Sequence, residues 1–480
     1  MSTPDADSTT DADRRVRLEA YLRRQGRDIA VTSWRPLSGG RSTQTIRVGM
    51  LDGSDELDCV LHFEPAAGPL AGRSSAGRQF SVLEALAATP VPAPRPRWLC
   101  SDPHVLGRAF FLTDLIPGDV PTPWRVEGRA FLDQHEPGGE LAESFLRTLV
   151  DVHTVPVGTL PPELGGGDER AAASHAERER ARWAAVVADS PSFADDPVLA
   201  YADAWLASRR PPASAPALVH GDYRIGNVVL DGPRVVGVLD WELAEVGDPV
   251  FDVATLCAPP LRTRGLAGGL WRDEALIIRY EQLSGRRVDR KALHHYRVLA
   301  TYKIVCLWVN ASRDFSAGRM DLASLRAGYS VVAARAMLAE VLGLPAAPAT
   351  EANLADPAAR AAATLHDSLS QDVLPSVVDD GARERLRGVI AVLRSQRVAP
   401  ARGLADEFAR RVDELARELA AISPVAAALE PRLAPDVRLG RLVHALMGVP
   451  ALARAVGHPT HARLRQAVAM AAVPSLGRWP

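Results

Sequence analysis

Three polar residues near the middle of this 480-residue chain have types and a spacing that suit phosphoryl transfer. Asp222 and Asn227 lie in the segment HGDYRIGN at residues 220–227, and Asp240 follows in the segment DWE. Transfer of a phosphoryl group from ATP needs a carboxylate near the acceptor hydroxyl, plus an amide and a second carboxylate to hold Mg²⁺ on the phosphates. We therefore predict that Asp222 is catalytic and that Asn227 and Asp240 bind the metal.

The sequence around these residues predicts strands and turns that would place them at one site. Residues 217–219 and 228–230 are short apolar runs, and Asp-Gly-Pro at 231–233 is a turn signal before a further apolar run. We expect Asp222 and Asn227 on a loop and Asp240 at a strand end. Asp and Asn are also ordinary turn residues, and a histidine before them is compatible with a hydrogen-bonded core residue. The ordered combination favours the catalytic interpretation.

The same segments resemble the aminoglycoside phosphotransferase-like family, whose fold is a variant of the protein-kinase fold. The resemblance continues through GDPVFDVA at residues 247–254 and covers roughly residues 25–344. It implies an α+β, two-lobed protein-kinase-like fold, the cofactors ATP and Mg²⁺, and a small-molecule acceptor. It also implies that His220 and Asp252 brace the catalytic loop and perform no direct chemistry.

Within this family, two parts of the sequence are similar to a branch that is fused to, or encoded beside, acyl-CoA dehydrogenases. These parts are HGDYR with DWELA around the catalytic loop, and SDPHVLGR at residues 101–108. The similarity makes a hydroxyacyl thioester one candidate acceptor. Because it is an analogy at the level of a branch, it identifies no residue of the acceptor pocket.

Two further segments are similar to the nucleotide-binding parts of the family. A turn between two strand-like runs resembles the phosphate-covering turn, where glycines let backbone amides approach phosphate oxygens. The run at residues 109–118 resembles the last small-lobe strand leading into a hinge that contacts adenine, although an ordinary buried strand ending in a Pro-Gly turn explains it equally well. The cofactor-binding residues implied in this way are Gly39, Gly40, Arg41, Ser42, Asp114 and Ile116.

The sequence departs from the family where a cation should steady the α- and β-phosphates. The third strand has His62 at that position, and Gln79 aligns with the helix glutamate that orients the cation, unless a shifted register puts Glu84 there. A hydrogen bond between His62 and Gln79 would replace the ion pair. An imidazole that titrates near neutrality would make ATP use weak or pH-dependent. The only lysines, Lys291 and Lys303, lie outside the small lobe.

This departure leaves two hypotheses about activity. In the first, an arginine elsewhere, such as Arg41, Arg73 or Arg78, compensates for the missing charge, and the protein is an active kinase. In the second, the chain is a degenerate, pseudokinase-like protein that binds nucleotide without transferring phosphate and acts in regulation or interaction. Both stay open, because a fold match by itself does not establish activity.

The composition is that of a soluble globular protein, with 47% hydrophobic residues, 24% charged residues and a net charge of −2. No apolar run is long enough to span a bilayer, and the first residues lack the basic and apolar pattern of a signal peptide. We therefore expect a cytoplasmic protein without membrane contact. The four cysteines are scattered without metal-ligand spacing, which favours reduced structural thiols.

Composition along the chain predicts five segments. Residues 1–16 are polar and are predicted to be disordered, residues 25–118 form a small nucleotide-binding lobe, and residues 119–344 form a large catalytic lobe. A linker at 345–355 precedes a helical C-terminal domain at 356–480.

The predicted C-terminal domain contains one clear amphipathic helix. Its apolar stripe indicates a packing face, either within the domain or between copies of the chain in a homo-oligomer. Nucleic-acid binding is disfavoured, because no aromatic-interleaved basic motif accompanies the arginines of this region. The stripe consists of Leu404, Phe408, Val412, Leu415, Leu419 and Ile422.

Overall fold

The structure is a computed structural model that describes most of the chain up to residue 344. The described residues fall into two compact units, one drawn from residues 10–183 and 202–304 and the other from residues 184–201 and 305–344. The predicted phosphate-covering turn (Gly39, Gly40, Arg41 and Ser42), linker (345–355) and C-terminal domain (356–480) lie outside the described residues. The described ranges are 10–37, 45–65, 70, 74–123, 126–168, 170–190, 193, 196–212, 214–316 and 331–344.

The small lobe is built on a five-stranded antiparallel sheet. Its strands are β1 (Ile29–Pro36), β2 (Thr45–Asp52), β3 (Asp55–Phe63), β4 (Pro96–Cys100) and β5 (Phe110–Asp114). Their order in the sheet is β1-β2-β3-β5-β4. Along β2, Ile46, Val48 and Met50 are buried at every second position, as a half-buried strand requires. Pairing of β3 with β5 puts His62 opposite Phe111.

A helix packs against this sheet where the N-terminal disorder was predicted. Helix α1 (Asp11–Arg24) begins with a capping box, in which the Thr10 side chain accepts a hydrogen bond from the Asp13 N–H and the Asp13 carboxylate accepts one from the Thr10 N–H. The prediction of disorder for residues 1–16 is therefore wrong from residue 11 onward. Polar composition was misleading, because capping residues are polar and two leucines suffice to dock the helix. These leucines, buried in the small-lobe core, are Leu18 and Leu22.

The rest of the first unit is mainly helical. The small lobe adds α2 (Ala76–Leu86) and α3 (Pro103–Leu106). The large lobe contains α4 (Val126–Asp133), α5 (Glu140–Thr154), α8 (Val250–Cys257) and α9 (Asp273–Ser284). The other long helices are α6 (Ala171–Ala188), α7 (Pro197–Ser208) and α10 (Arg290–Ser316). Within the described part of the chain, no helix is both long and apolar enough to cross a membrane.

Two short antiparallel strand pairs in the large lobe position the predicted catalytic residues. Strand β6 (Ala217–Val219) pairs with β9 (Glu245–Gly247), and β7 (Val228–Asp231) pairs with β8 (Arg234–Val238). The predicted strands around the polar motif are therefore confirmed, and so is the α+β class. The predicted loop lies between β6 and β7, and Asp240 follows the end of β8.

In the second unit, α11 (Val331–Val341) buries two apolar side chains one turn apart, Ala334 and Leu338. An ion pair within this unit joins the Arg335 Nε to the Asp196 Oδ2 at 2.6 Å. The predicted large lobe, which ends at residue 344, thus includes α11 in addition to the elements that line the cavity.

Candidate active site

A cavity of about 610 Å³ is lined by the small-lobe sheet on one side and by the large-lobe loops on the other. Strands β2, β3 and β5 and helix α2 supply the small-lobe side, which includes His62. Asp222, Asn227 and Asp240 line the large-lobe side. The structure therefore brings together the three residues predicted to carry out phosphoryl transfer, although they come from two separate loops.

The loop at residues 220–227 holds the side chains of Asp222 and Asn227 in direct contact. The Asn227 Nδ2 donates hydrogen bonds to the Asp222 Oδ2 and to the Asp222 backbone carbonyl, both at 3.0 Å. The Arg224 Nε donates to the same Oδ2, also at 3.0 Å. In addition, the Leu239 N–H donates to the Asn227 carbonyl at 2.8 Å, which ties the loop to the chain just before Asp240.

Asp252, fully buried on α8, anchors the start of this loop. Its carboxylate accepts hydrogen bonds from the backbone N–H of His220 at 2.8 Å and of Gly221 at 2.9 Å, and His153 Nε2 lies 3.1 Å from it. Gly221 has a φ of 82°, and a Cβ at this position would lie 2.7 Å from the Leu243 carbonyl oxygen. Glycine is therefore required here both by conformation and by space. These contacts agree with the bracing role that the family resemblance implied for Asp252.

His220 also has a structural role, and its hydrogen bonds define its tautomer. The Asp222 N–H donates to His220 Nδ1 at 3.2 Å, so that nitrogen is an acceptor, and the opposite Nε2 lies 2.9 Å from the Leu239 carbonyl, to which it donates. Burial lowers the pKa of His220. The imidazole is accordingly neutral and serves as a bridge between the two loops that carry Asp222 and Asp240.

Asp222 is held in its charged form. Burial by itself would raise the pKa of this carboxyl, but the charges of Arg224 and Lys303 outweigh burial and hold the pKa below its usual range. Lys303 was known from the sequence only as a lysine outside the small lobe, and no sequence pattern connected it with Asp222. At neutral pH the cavity therefore contains an aspartate anion at the position predicted for catalysis.

Asn227 and Asp240 present side-chain oxygen atoms for which the described residues supply few stabilising contacts. The Asn227 Oδ1 is buried and has no hydrogen-bond partner among the described residues. Burial raises the pKa of Asp240, with Arg224 opposing and Asp222 reinforcing the effect. Asp240 also has a φ of 60°, a left-handed conformation that costs free energy and is typical of functional sites.

The residues present fit the predicted Mg²⁺. A buried unpartnered amide oxygen and a destabilised carboxylate are hard oxygen ligands, which Mg²⁺ prefers. The described residues contain no group of three or more His, Cys, Asp or Glu that could hold a metal. This finding is compatible with Mg²⁺, because the ion is commonly held by one or two carboxylates together with substrate phosphates and water.

His62 lines the cavity, but the contacts and protonation predicted for it are wrong. Its Nε2 lies 3.3 Å from the Thr113 Oγ1, and its ring stacks on Phe111 with centroids 4.5 Å apart. Gln79 Nε2 donates to the Ser74 Oγ at 2.9 Å, so the predicted hydrogen bond between His62 and Gln79 is not formed. Burial lowers the pKa of His62 to about 4. The imidazole is thus neutral at physiological pH and supplies no positive charge.

The structure also decides the register of α2 and the role of Arg78. Gln79 lines the cavity whereas Glu84 is exposed, so Gln79 is the residue that faces the site. Arg78 donates to the backbone carbonyls of Glu163 at 3.0 Å and Ala244 at 2.7 Å. This arginine therefore connects α2 to the large lobe rather than replacing the missing cation. The other two arginines considered for that role lie outside the described residues.

Sequence reasoning missed two arginines that line the cavity. Arg47 on β2 pairs with Asp58 through its Nε, at 2.9 and 3.1 Å from the two carboxylate oxygens. Arg224 contacts the predicted catalytic Asp222. A signal for Arg224 existed, since it lies two residues after that aspartate in the motif, whereas the position of Arg47 follows only from the pairing of β2 with β3.

Asp114 and Ile116 line the cavity where adenine contacts were predicted. The Asp114 carboxylate is engaged by Arg97, with distances of 2.5 and 2.9 Å, and the Leu115 N–H donates to the Asp58 carbonyl at 2.8 Å. The Ile116 N–H has no hydrogen-bond partner within the described residues. A free backbone donor beside apolar side chains is suited to a flat heteroaromatic ring.

A five-stranded antiparallel sheet above a helical lobe, with an Asp-Asn loop and a further Asp at the cavity between them, defines a protein-kinase-like phosphotransferase fold. The profile of the phosphotransferase enzyme family (APH) matches residues 33–296, more than half of the chain, and the chain belongs to this family. A crystal structure from Ralstonia eutropha, assigned as an aminoglycoside phosphotransferase, has the same fold. It matches 68% of this chain and 98% of its own, with a TM-score of 0.52 and 24% identity.

Curated relatives come from two functional classes. The chain is 25% identical over 331 residues to the "Probable acyl-CoA dehydrogenase IBR3" of Arabidopsis thaliana, covering 63% of this chain and 39% of that protein. It is 37% identical over 93 residues to the viomycin phosphotransferase of Streptomyces vinaceus, covering 18% of this chain and 32% of that enzyme. The chain therefore spans less than two fifths of the length of either relative. The predicted family and fold are confirmed.

Proposed function

We propose that this chain is an ATP- and Mg²⁺-dependent phosphotransferase that acts on a hydroxyl group of a small molecule. The observation that carries the proposal is the convergence of Asp222, Asn227 and Asp240 on one cavity, with a buried and unpartnered Asn227 Oδ1 among them. Membership of the phosphotransferase family supports the reaction class. The cytoplasmic location expected from the sequence belongs to the same proposal.

In this proposal, the acceptor hydroxyl donates a hydrogen bond to the Asp222 carboxylate. Because the pKa of Asp222 is held low, the carboxylate is charged before substrate binds, and a weak base of this kind orients the hydroxyl oxygen before it accepts the proton. Asn227 and Arg224 both bind the Oδ2 atom of Asp222. The side chain is thus preorganised, which reduces the entropy lost on reaching the reactive geometry.

Asn227, through Oδ1, and Asp240, through its carboxylate, are the residues that would hold the metal. When bound, Mg²⁺ would neutralise charge on the phosphates of ATP. Asp240 gains most from such a cation, because burial raises its pKa and no described residue forms an ion pair with it. The left-handed backbone at Asp240 is then the conformational cost of presenting this carboxylate to the cavity.

Arg224 supplies the positive charge that His62 lacks. Its charge opposes the effect of burial on the pKa of both Asp222 and Asp240, and it prevails only at Asp222, so its guanidinium acts on the part of the cavity that the three predicted residues share. Arginine stays protonated at all physiological pH values and binds phosphate oxygens well. We assign Arg224 to the phosphates of the nucleotide.

The acceptor proposed first is a hydroxyacyl thioester. The support is the likeness to the Arabidopsis protein named as a probable acyl-CoA dehydrogenase, which covers a larger share of this chain than the likeness to viomycin phosphotransferase does. A panel of hydroxyacyl thioesters and hydroxylated antibiotics, with ATP consumption as the readout, separates these acceptor classes. If none of the compounds increased ATP consumption, both acceptor classes would be excluded.

The decisive variant for the reaction is Asp222→Asn. It should reduce phosphoryl transfer by at least about 100-fold, because general-base and orienting carboxylates contribute this much or more. Binding of Mg-ATP, measured by titration calorimetry, should change less than about twofold, since Asp222 contacts the acceptor rather than the nucleotide. Asp231→Asn, at an exposed aspartate just beyond the loop, is the matched control. Parallel loss of binding and transfer would contradict the assigned role.

One observation favours a second candidate function, a nucleotide-binding protein without transferase activity. His62 is neutral and Gln79 is bound to Ser74, so these two described positions do not form the usual ion pair that steadies the phosphates. In that case the protein would bind Mg-ATP but consume none with any acceptor, and Asp222→Asn would alter nothing measurable. The same calorimetry and ATP-consumption assays therefore distinguish the two candidates.

A further inference from the structure

The proposed function leaves the buried Lys303 on α10 without a role. Lys303 is one of only two lysines in a chain whose 56 basic residues are otherwise arginine, and it has no exposed surface. An ammonium group is costly to bury unless nearby dipoles and charges compensate for its lost hydration. The groups that surround Lys303 therefore indicate what its charge does.

Two large-lobe groups contact the Lys303 ammonium. Its Nζ donates a hydrogen bond to the backbone carbonyl of Gly221, and it lies 5.2 Å from the centre of the Phe251 ring, on the adjacent α8. A cation over an aromatic ring is stabilised by the negative ring face. The polar contact is therefore made with the catalytic loop, at the residue immediately before Asp222.

The peptide bond between Gly221 and Asp222 is thereby held at both ends. Lys303 binds its carbonyl, and His220 Nδ1 accepts a hydrogen bond from its N–H at 3.2 Å. The Gly221 N–H is in turn bound to Asp252 at 2.9 Å. Since the orientation of this peptide plane sets the direction in which the Asp222 side chain leaves the backbone, α8 and α10 together aim the catalytic carboxylate.

We propose that Lys303 is a positioning residue for Asp222, which fixes the peptide plane before Asp222 through its hydrogen bond to the Gly221 carbonyl. The inference deepens the proposed phosphotransferase function and rests on it. An ammonium suits this place, because it is a compact charge that can bind a single carbonyl, whereas a guanidinium is a planar group with five donors to satisfy.

The test compares Lys303→Met with Lys291→Met. Methionine keeps the unbranched shape of lysine and removes its charge, and Lys291 is an exposed residue on the same helix. Three measurements are made on the full chain after thermal unfolding shows that it is folded: Mg-ATP affinity, the KM for ATP, and the maximal rate of ATP hydrolysis with water as the acceptor.

We expect Lys303→Met to bind Mg-ATP within about twofold of the wild type while its maximal rate falls roughly 10- to 100-fold, as misplacement of a catalytic group produces. Lys303→Gln, which keeps an N–H donor for the Gly221 carbonyl, should recover part of that rate. Lys291→Met should match the wild type in all three measurements. A purely structural lysine would lower stability and leave the maximal rate of the folded variant unchanged.

A wild-type maximal rate in folded Lys303→Met would overturn the proposal, as would loss of Mg-ATP binding in proportion to the rate. If methionine prevents folding, Lys303→Gln decides instead: a lowered maximal rate with unchanged Mg-ATP affinity supports the proposal, and an unchanged rate overturns it. Failure of the proposed function looks different. A wild type that binds Mg-ATP and never turns it over would refute phosphoryl transfer, whereas the proposal about Lys303 fails when the wild type and the folded variant are equally active.

Discussion

The two sides of the cavity differ in how their polar residues are held. On the large-lobe side, the Asp222 carboxylate, the Asp222 backbone and the Gly221 backbone are all engaged by neighbouring groups, many of them buried. On the small-lobe side, His62 has one hydrogen-bond contact of 3.3 Å, to Thr113, and a stacking partner. The contacts on the large-lobe side keep Asp222 charged, whereas desolvation on the small-lobe side keeps His62 neutral.

This difference indicates where the protein obtains its electrostatic stabilisation. A kinase-like site usually divides its positive charge between a strand lysine and the metal ions. Here the described cations near Asp222 are Arg224 and Lys303, both of which belong to the large lobe. Among the described small-lobe residues, His62 is neutral and Arg47 is paired with Asp58, so they contribute shape and backbone groups, such as the Ile116 N–H, more than uncompensated charge.

The largest expected effect comes from disrupting the large-lobe side of the cavity at Asp252. Asp252→Asn turns one acceptor oxygen into a donor that faces the N–H groups of His220 or Gly221, so we expect a loss of about 3 kcal/mol in the free energy of unfolding. Urea denaturation measures it. Asp55→Asn, at the exposed start of β3, should change stability by less than about 0.5 kcal/mol. A similarly small loss for Asp252→Asn would mean that the loop does not depend on this anchor.

An intermediate effect is expected from Asp240→Asn, which tests the metal side of the cavity. Removing this ligand charge should weaken Mg-ATP binding roughly tenfold and leave the binding of ATP without magnesium nearly unchanged. The sign with pH follows from its raised pKa. As pH falls through that pKa, wild-type Asp240 takes up a proton and loses its affinity for the cation. Calorimetry should therefore show Mg-ATP affinity falling towards acid pH in the wild type and much less in the variant.

The smallest expected effect concerns His62, on the small-lobe side of the cavity. His62→Arg should tighten ATP binding about threefold, because it places a permanent charge on β3, and the gain should be equal near pH ~6 and pH ~8. The equality follows from the depressed pKa of about 4, which leaves the wild-type imidazole neutral at both pH values. His62→Gln is the neutral control and should show no gain. A gain confined to the higher pH would show that His62 titrates normally and is not desolvated.

The sequence was most informative where function depends on short stretches of chain. Asp222 and Asn227 lie in one eight-residue motif, and the strands on either side of it are apolar runs bounded by turn residues, so their arrangement could be predicted locally. The family resemblance extended this to the fold. Composition misled at α1, because a capping box and two buried leucines outweigh an otherwise polar segment.

The sequence by itself determined which chemical groups the site contains and the family to which the chain belongs. Only the tertiary structure decided their charge states and partners, because these depend on contacts between distant residues. Lys303 binds Gly221 across 82 positions, and Arg78 binds Ala244 across 166. His62 loses its charge because pairing of β3 with β5 buries it against Phe111. Desolvation is a property of the surrounding fold, and no local pattern around a histidine specifies it.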